Sequence, residues 1–155
     1  MEFYPACLSR AESDQVADRV ENHFRERGFS PFAVQLRHDG TFIGFIGLSV
    51  PSFVAHFTPC VEIGWRLAAA YWGQGLATEG ARAALRYGFE TLTLHEIVAF
   101  TVPGNARSRR VMEKLGMTHD PADDFDHPSL PEDHPMRRHV LYRLKRNGPV
   151  LEQPR

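Results

Sequence analysis

The run VEIGWRLAAAYWGQGLATEGARAALRYGF, residues 61–89, changes its periodicity partway along. Residues 60–68 read as a buried-looking strand, bounded by Pro59 on one side and the small-residue run before Trp72 on the other. From Thr78 the period becomes helical: Ala81, Ala84, Leu85, Gly88, Phe89 and Leu92 fall at i, i+3, i+4, i+7, i+8 and i+11. Between strand and helix lies Trp72-Gly73-Gln74-Gly75-Leu76-Ala77-Thr78. Glycines at 73 and 75 let backbone approach a ligand with no Cβ in the way. The first helical turn leaves N–H groups unpaired and carries the positive end of the helix dipole, so a phosphate group fits there without a cationic side chain. No Gly-Lys-Ser/Thr follows, so the turn is not a nucleotide P-loop. Thr78 stands where a dinucleotide fingerprint needs its third glycine. Ala77, Gly80, Ala81 and Ala84 keep the helix thin where it must lie close to a sheet. On the turn alone, a plain connecting loop is the commoner reading.

Working outward from this run, Ser9 and Glu12 form a capping-box pattern that opens a helix to about residue 27, with Val16, Val20 and Phe24 on one face and Gly28 as its stop. Residues 32–37 and 41–50 read as a hairpin around a two-residue Asp39-Gly40 turn. Residues 51–59 form a loop, and residues 95–102 a strand. Asn105 is a good N-cap for a helix through Leu115, closed by Gly116. A strand begins at 117–119. Residues 122–135 make a long polar loop carrying Pro128, Pro131 and Pro135, and 138–145 form the last strand. The expected architecture is a mixed α/β single domain over residues 1–146. It has a largely antiparallel sheet, one central β-α-β crossover and helices on both faces. A mobile tail is expected at 147–155.

The composition, 43% hydrophobic and 24% charged over 155 residues, is that of a globular domain with a real core. A net charge of -1 gives no electrostatic footing for nucleic acid or an anionic membrane as main partner. No apolar run approaches the roughly 20 residues needed to span a bilayer. Cys7 and Cys60 have no metal-like spacing and, with no signal peptide, read as reduced thiols of a cytoplasmic protein.

Several residues carry candidate chemistry. Glu62 lies between Val61 and Ile63, so on a strand its carboxylate points to the face opposite theirs, where it suits an amine proton or a structural hydrogen bond. Leu67 ends the same strand. Trp65 and Tyr71 either wall a pocket or pack in the core. Glu79 reads as a dipole partner of the helix. Arg107, Arg109 and Arg110 read as a solvated face or a phosphate contact. The acidic loop Asp123-Asp124-Phe125-Asp126-His127 offers carboxylates to a cationic amine but lacks a metal-ligand frame. His139 reads as a strand residue rather than a base. Cys60 has no activating histidine in the sequence and is no acyl carrier.

The run at 61–89 resembles the acetyl-coenzyme A segment of GNAT acetyltransferases. The run VPGNARSRRVMEKLGM at 102–117 resembles their next segment, an Asn-x-x-Ser helix ending in Leu-Gly-Phe/Met. The resemblance covers about residues 30–146 and is strongest to the ribosomal-protein N-terminal acetyltransferase type, with its WGxGxATE turn. It implies an N-acetyltransferase that uses acetyl-coenzyme A as cosubstrate, with no metal, and passes the acetyl group directly to a primary amine on a protein N-terminus or a small molecule. By resemblance the coenzyme is held by Leu67, Trp72, Gly73, Gln74, Gly75, Leu76, Ala77, Thr78 and Asn105. Trp72 stands where the family usually has Gln or Arg, which suggests that backbone amides carry the pyrophosphate. Glu62 occupies a strand position that serves as base in some members. Ser108 is the candidate acid, because Met112 stands where many members place an acidic tyrosine. Trp65, Asp124 and Phe125 are the candidate acceptor contacts. The gap between the strands at 60–68 and 95–102 is expected to admit the pantetheine. The family opens with a strand and part of a helix that have no counterpart here, so an internal start and an exposed sheet edge, open to homodimer pairing, are expected. The missing tyrosine also leaves room for a non-catalytic acyl-coenzyme A binder.

Overall fold

The structure is a computed structural model that describes residues 8–146. Cys7 and the tail expected at 147–155 lie outside the described residues. Helix α1 (Arg10–Arg27) begins at the capping box: Glu12 N–H donates to Ser9 Oγ at 3.3 Å, and Ser9 N–H donates to the Glu12 carboxylate at 2.7 Å. Its apolar stripe packs loosely. Val16 and Val20 are half-buried, Phe24 is exposed, and no residue of the helix is fully buried.

Strands β1 (Pro31–Gln35) and β2 (Phe42–Ser49) form the predicted hairpin, with a wider turn than the Asp39-Gly40 pair suggests. Leu36 N–H donates to the Thr41 carbonyl, leaving four residues, 37–40, in the loop. There follow β3 (Glu62–Leu67), α2 (Leu76–Arg86), β4 (Glu96–Thr101), α3 (Ala106–Lys114), β5 (Thr118–His119), β6 (Phe125–Asp126) and β7 (Arg138–Lys145). Helix α2 begins ahead of the predicted Thr78 and runs into one π-helical turn, Tyr87–Thr91. Strand β6 lies inside the stretch expected to be a loop and pairs with β7.

The sheet order is β1-β2-β3-β4-β7-β5, and among the described residues β3–β4 is the single parallel pairing. Helix α2 makes the crossover between those two strands, as the change of period predicts.

Alternation along the strands divides the core in two. Ile63, Ile97, Ala99, Tyr142 and Leu144 face α2 and α3, where they meet Ala81, Leu85, Met112 and Leu115. Full burial of a Leu or Ile side chain is worth about 1.5–3 kcal/mol, so this face supplies most of the apolar driving force. The helix lies very close to it: a Cβ on Gly80 would fall 2.6 Å from Ile46 Cδ1. The opposite face carries Val98 and Leu141, roofed by Phe57 from the loop after β2 and Phe125 from β6. Arg143 fastens that roof by donating Nε–H to Asp123 at 2.6 Å and Nη1–H to Glu96 at 2.8 Å. Among the described residues, no helix is long and apolar enough to cross a membrane.

Candidate active site

β3 and β4 touch at one bridge, Glu62↔Val98, supported by Val98 N–H donating to the Val61 carbonyl at 2.9 Å. On their other sides the two strands are fully paired, β3 from Gly44↔Leu67 to Ser49↔Glu62 and β4 from Glu96↔Lys145 to Thr101↔Val140. The sheet therefore opens between them, and a cavity of about 370 Å³ fills the opening. Ile63, Trp65, Met112 and Ser108 line it from the helix side, and Glu62, Phe100, His127 and His139 from the roofed side. The cavity is thus lined by residues from both faces of the sheet.

Glu62 sits at the single bridge between the two strands, on the cavity wall. Its Oε1 lies 3.7 Å from where a Cβ on Gly64 would be, so the carboxylate leans along β3 over a residue with no side chain. It makes no hydrogen bond among the described residues, and burial pushes its pKa up from the ordinary carboxylate range to about 7. A carboxyl poised there exchanges a proton at neutral pH. Cys60 nearby is pushed the other way for a nucleophile: burial first, then the Glu62 charge, raise its thiol to about 11.

Asn105 caps α3 and organises the helix side of the cavity. Its Oδ1 accepts from Ser108 N–H at 3.2 Å, and its Nδ2 donates to Thr101 Oγ1 at 3.0 Å and to Ser108 Oγ at 3.1 Å. With an acceptor position of Ser108 Oγ filled by Asn105, the hydroxyl proton is free to point into the cavity. Met112, in the position of the family's tyrosine, is buried against the same space.

The glycine turn has the shape expected of it, with individual side chains assigned differently. Gly75 is the N-cap of α2 at φ +82, and no side chain caps the helix, so its first N–H groups are open. A Cβ on Gly73 or Gly75 would meet nothing within 4 Å, so these positions favour glycine for their left-handed backbone and leave open space above it. Trp72 and Gln74 turn back on the chain. Trp72 Nε1–H donates to the Leu67 carbonyl at 2.7 Å, and Gln74 Nε2–H donates to the Ala70 carbonyl at 3.1 Å. Arg107 lies over the Trp72 ring at 4.8 Å, pinning the turn to α3. Thr78 is buried beneath the helix, so only its backbone faces the turn. An uncapped helix terminus behind exposed glycine backbone suits a pyrophosphate.

On the roofed side the acidic loop lies differently from the expectation. Asp124 is bound by His119 Nε2 at 2.7 Å, and Phe125 is buried in the aromatic cluster beneath the roof; neither lines the cavity. The reason is non-local. Arg143 on β7 captures Asp123, and the pairing of β6 with β7 turns Phe125 into the core. The cavity wall is formed instead by His127, Leu130, Met136 and His139. The two histidine rings stand 5.1 Å apart. His139 shares a strand face with buried Leu141, and that alternation was visible in the sequence; nothing in the sequence marked Leu130 or Met136. Glu79 lies in the first turn of α2, as a dipole partner should. Among the described residues no cluster of His, Cys, Asp and Glu is arranged to hold a metal ion.

Residues 1–118 match the family model described as an acetyltransferase (GNAT) domain. YkkB, an uncharacterized protein of Bacillus subtilis, is 32% identical over 117 residues, 76% of this chain and 67% of that protein. The spermidine N(1)-acetyltransferase of Escherichia coli K12 is 26% identical over 104 residues, 67% of this chain and 53% of that enzyme. Among solved structures, an acetyltransferase from Agrobacterium tumefaciens superimposes with a TM-score of 0.69 at 30% identity, over 91% of this chain and 74% of that one. The ribosomal-protein-S5-alanine acetyltransferase of Vibrio fischeri shares the fold, with a TM-score of 0.71 at 20% identity, over 94% of this chain and 79% of that one. The chain thus spans between about half and two thirds of these curated relatives. With the family model matching most of its length, the chain belongs to the GNAT acetyltransferase family.

Proposed function

We propose that the chain transfers an acetyl group from acetyl-coenzyme A to a primary amine, directly, with both substrates held in the cavity between β3 and β4. The observation that carries this reading is the single bridge between β3 and β4, beside which Glu62 and Ser108 stand on the walls of one cavity. The open N–H groups of α2 and the exposed glycine backbone at Gly73 and Gly75 hold the pyrophosphate. The unpaired edges of β3 and β4 beyond the bridge offer backbone groups to the pantetheine.

Glu62 takes the proton of the incoming ammonium, directly or through water. The neutral nitrogen then forms its bond to the acyl carbon as the carbon–sulfur bond breaks. Ser108 gives the departing thiolate its proton and is reprotonated, through water, by the second proton that the nitrogen sheds on becoming an amide, and the proton held by Glu62 leaves as the product does. Cys60, with its raised thiol, takes no part, so no acyl-enzyme forms.

The test is release of free thiol from acetyl-coenzyme A on addition of amines, with the acetylated product identified by mass. Propionyl- and succinyl-coenzyme A in competition fix the acyl group. Tight binding of acetyl-coenzyme A with no turnover of any amine would mean a binding module, the reading that Met112 in the tyrosine position favours.

A further inference from the structure

We propose that the acceptor is a single primary amine on an apolar or aromatic carrier, and not a polyamine. This rests on the reading of the cavity as the site of amine acetylation and specifies its substrate class.

The argument begins with the count of carboxylates that can meet a cation. A polyamine carries several ammonium groups, and each one removed from water needs a partner. Among the described residues Glu62 is the one carboxylate lining the cavity. The acidic loop, which by composition offers more, has its side chains already engaged. Asp120 accepts from Ala122 N–H at 2.9 Å. Asp123 is held by Arg143, and Asp124 by His119. Asp126 faces Arg138 at 3.3 Å and Arg137 at 3.8 Å. Glu132 and Asp133 lie exposed on the outer part of the loop and do not line the cavity. One buried carboxylate matches one amine.

The wall beyond Glu62 has the complementary character. Phe100, Leu130 and Met136 give it an apolar surface, and the two histidines complete it. His139 Nδ1 lies 3.0 Å from the Arg137 carbonyl, so Nδ1 carries the proton. His127 Nδ1 accepts from Ser129 N–H at 3.3 Å, so Nε2 carries the proton there. Both tautomers, assigned from these partners, are neutral imidazoles. Burial lowers the pKa of both rings, and their mutual proximity lowers that of His127 further, so the wall stays uncharged at neutral pH. Arg137 and Arg138, which lead the chain into this wall, pair with Asp126 and do not line the cavity. An aromatic or aliphatic group attached to the amine has a surface to lie on; a second ammonium finds no carboxylate there among the described residues.

The carrier could be a free small molecule or the first residue of a peptide, and the assay separates these sources. Initial rates of thiol release are measured with 2-phenylethylamine, with a lysine-free peptide amide beginning with phenylalanine, and with spermidine. The expected result is that kcat/KM for at least one of the first two exceeds that for spermidine by about tenfold or more. Whichever of the two leads identifies the source. Spermidine turned over as well as or better than both overturns the inference while leaving amine acetylation standing. No turnover of any of the three overturns the acetylation reading itself. Met136→Glu, checked for folding by circular dichroism, adds a carboxylate to the wall. It should move the ratio toward spermidine by about tenfold. A folded variant with the wild-type ratio would show that this wall does not face the acceptor, and would overturn the inference.

Discussion

Asn105 grips Ser108 at two points, accepting from its backbone N–H at 3.2 Å and donating to its side-chain oxygen at 3.1 Å. One residue thus ends the loop after β4, starts α3 and aims the hydroxyl. The same asparagine also reaches back to Thr101 on β4, so the helix start, the strand end and the cavity wall are one hydrogen-bonded unit.

Two substitutions separate the structural and chemical parts of that unit. Ser108→Ala leaves the cap to Asn105 Oδ1 and should leave the melting temperature nearly unchanged, while kcat falls by about 10²-fold or more if the hydroxyl protonates the leaving thiolate. Asn105→Ala removes the cap itself and should cost about 0.5–2 kcal/mol of stability. A loss of kcat below about threefold in Ser108→Ala would assign the thiolate proton to water.

Gly75 is needed for its backbone angle and not for room, since nothing stands within 4 Å of a Cβ there and φ is +82. A left-handed residue with a side chain costs about 1–2 kcal/mol, and asparagine tolerates that region better than most. Gly75→Val should therefore lose affinity for acetyl-coenzyme A in calorimetry, because the turn must change shape to relieve the strain, and Gly75→Asn should lose less. Unchanged affinity in a folded Gly75→Val protein would remove the pyrophosphate from this turn.

The parts of the site that were legible in the sequence are those fixed by local rules. The switch from strand to helix period between Leu67 and Ala81, the Asn105 cap and the Ser9–Glu12 box each depend on residues a few positions apart, and the structure forms all three. The opening beside Glu62 was expected from the family resemblance, and the single Glu62↔Val98 bridge shows it. What stayed hidden depends on distant residues. β6 is two residues long and exists because β7 offers it a partner. Asp124 carries a carboxylate suited to a cationic amine, yet His119 on β5 claims it. His127, Leu130 and Met136 reach the cavity because the loop is folded over the sheet, with Phe125 buried beneath it and Asp123 tied to Arg143. Composition of the loop gave its charge and not its direction.

Glu62 makes the most constrained prediction, since one property must show in both stability and catalysis. Its carboxyl is raised from 4.5 to about 7 in the folded protein because burial disfavours the anion. The unfolded chain loses that proton first as pH rises from about 4.5, so the folded state binds more protons between there and about 7, and stability falls across that window. Below it both states are protonated and no penalty exists; above it the penalty is constant. Glu62→Gln abolishes the ionisation, so it should leave stability at pH 4 nearly unchanged and raise it above pH 7. The gain should be about 1–3 kcal/mol, the upper figure being the full shift and the lower allowing for water in the cavity. Catalysis should move the other way. The wild-type kcat/KM should rise with pH through about 7 as the base ionises, and the variant should lose that limb. An α-amine, with a pKa of about 7.7–8.0, is partly neutral at pH 7 and should lose about tenfold. An alkylamine near 10.4 depends more on a base and should lose more, with the deficit shrinking toward pH 10. Urea denaturation of both proteins at pH 4 and pH 8, with kcat/KM profiles from pH 6 to 10, supplies the readings. A variant more stable only at high pH with an unchanged rate profile would make Glu62 a strained structural residue and end its role as base.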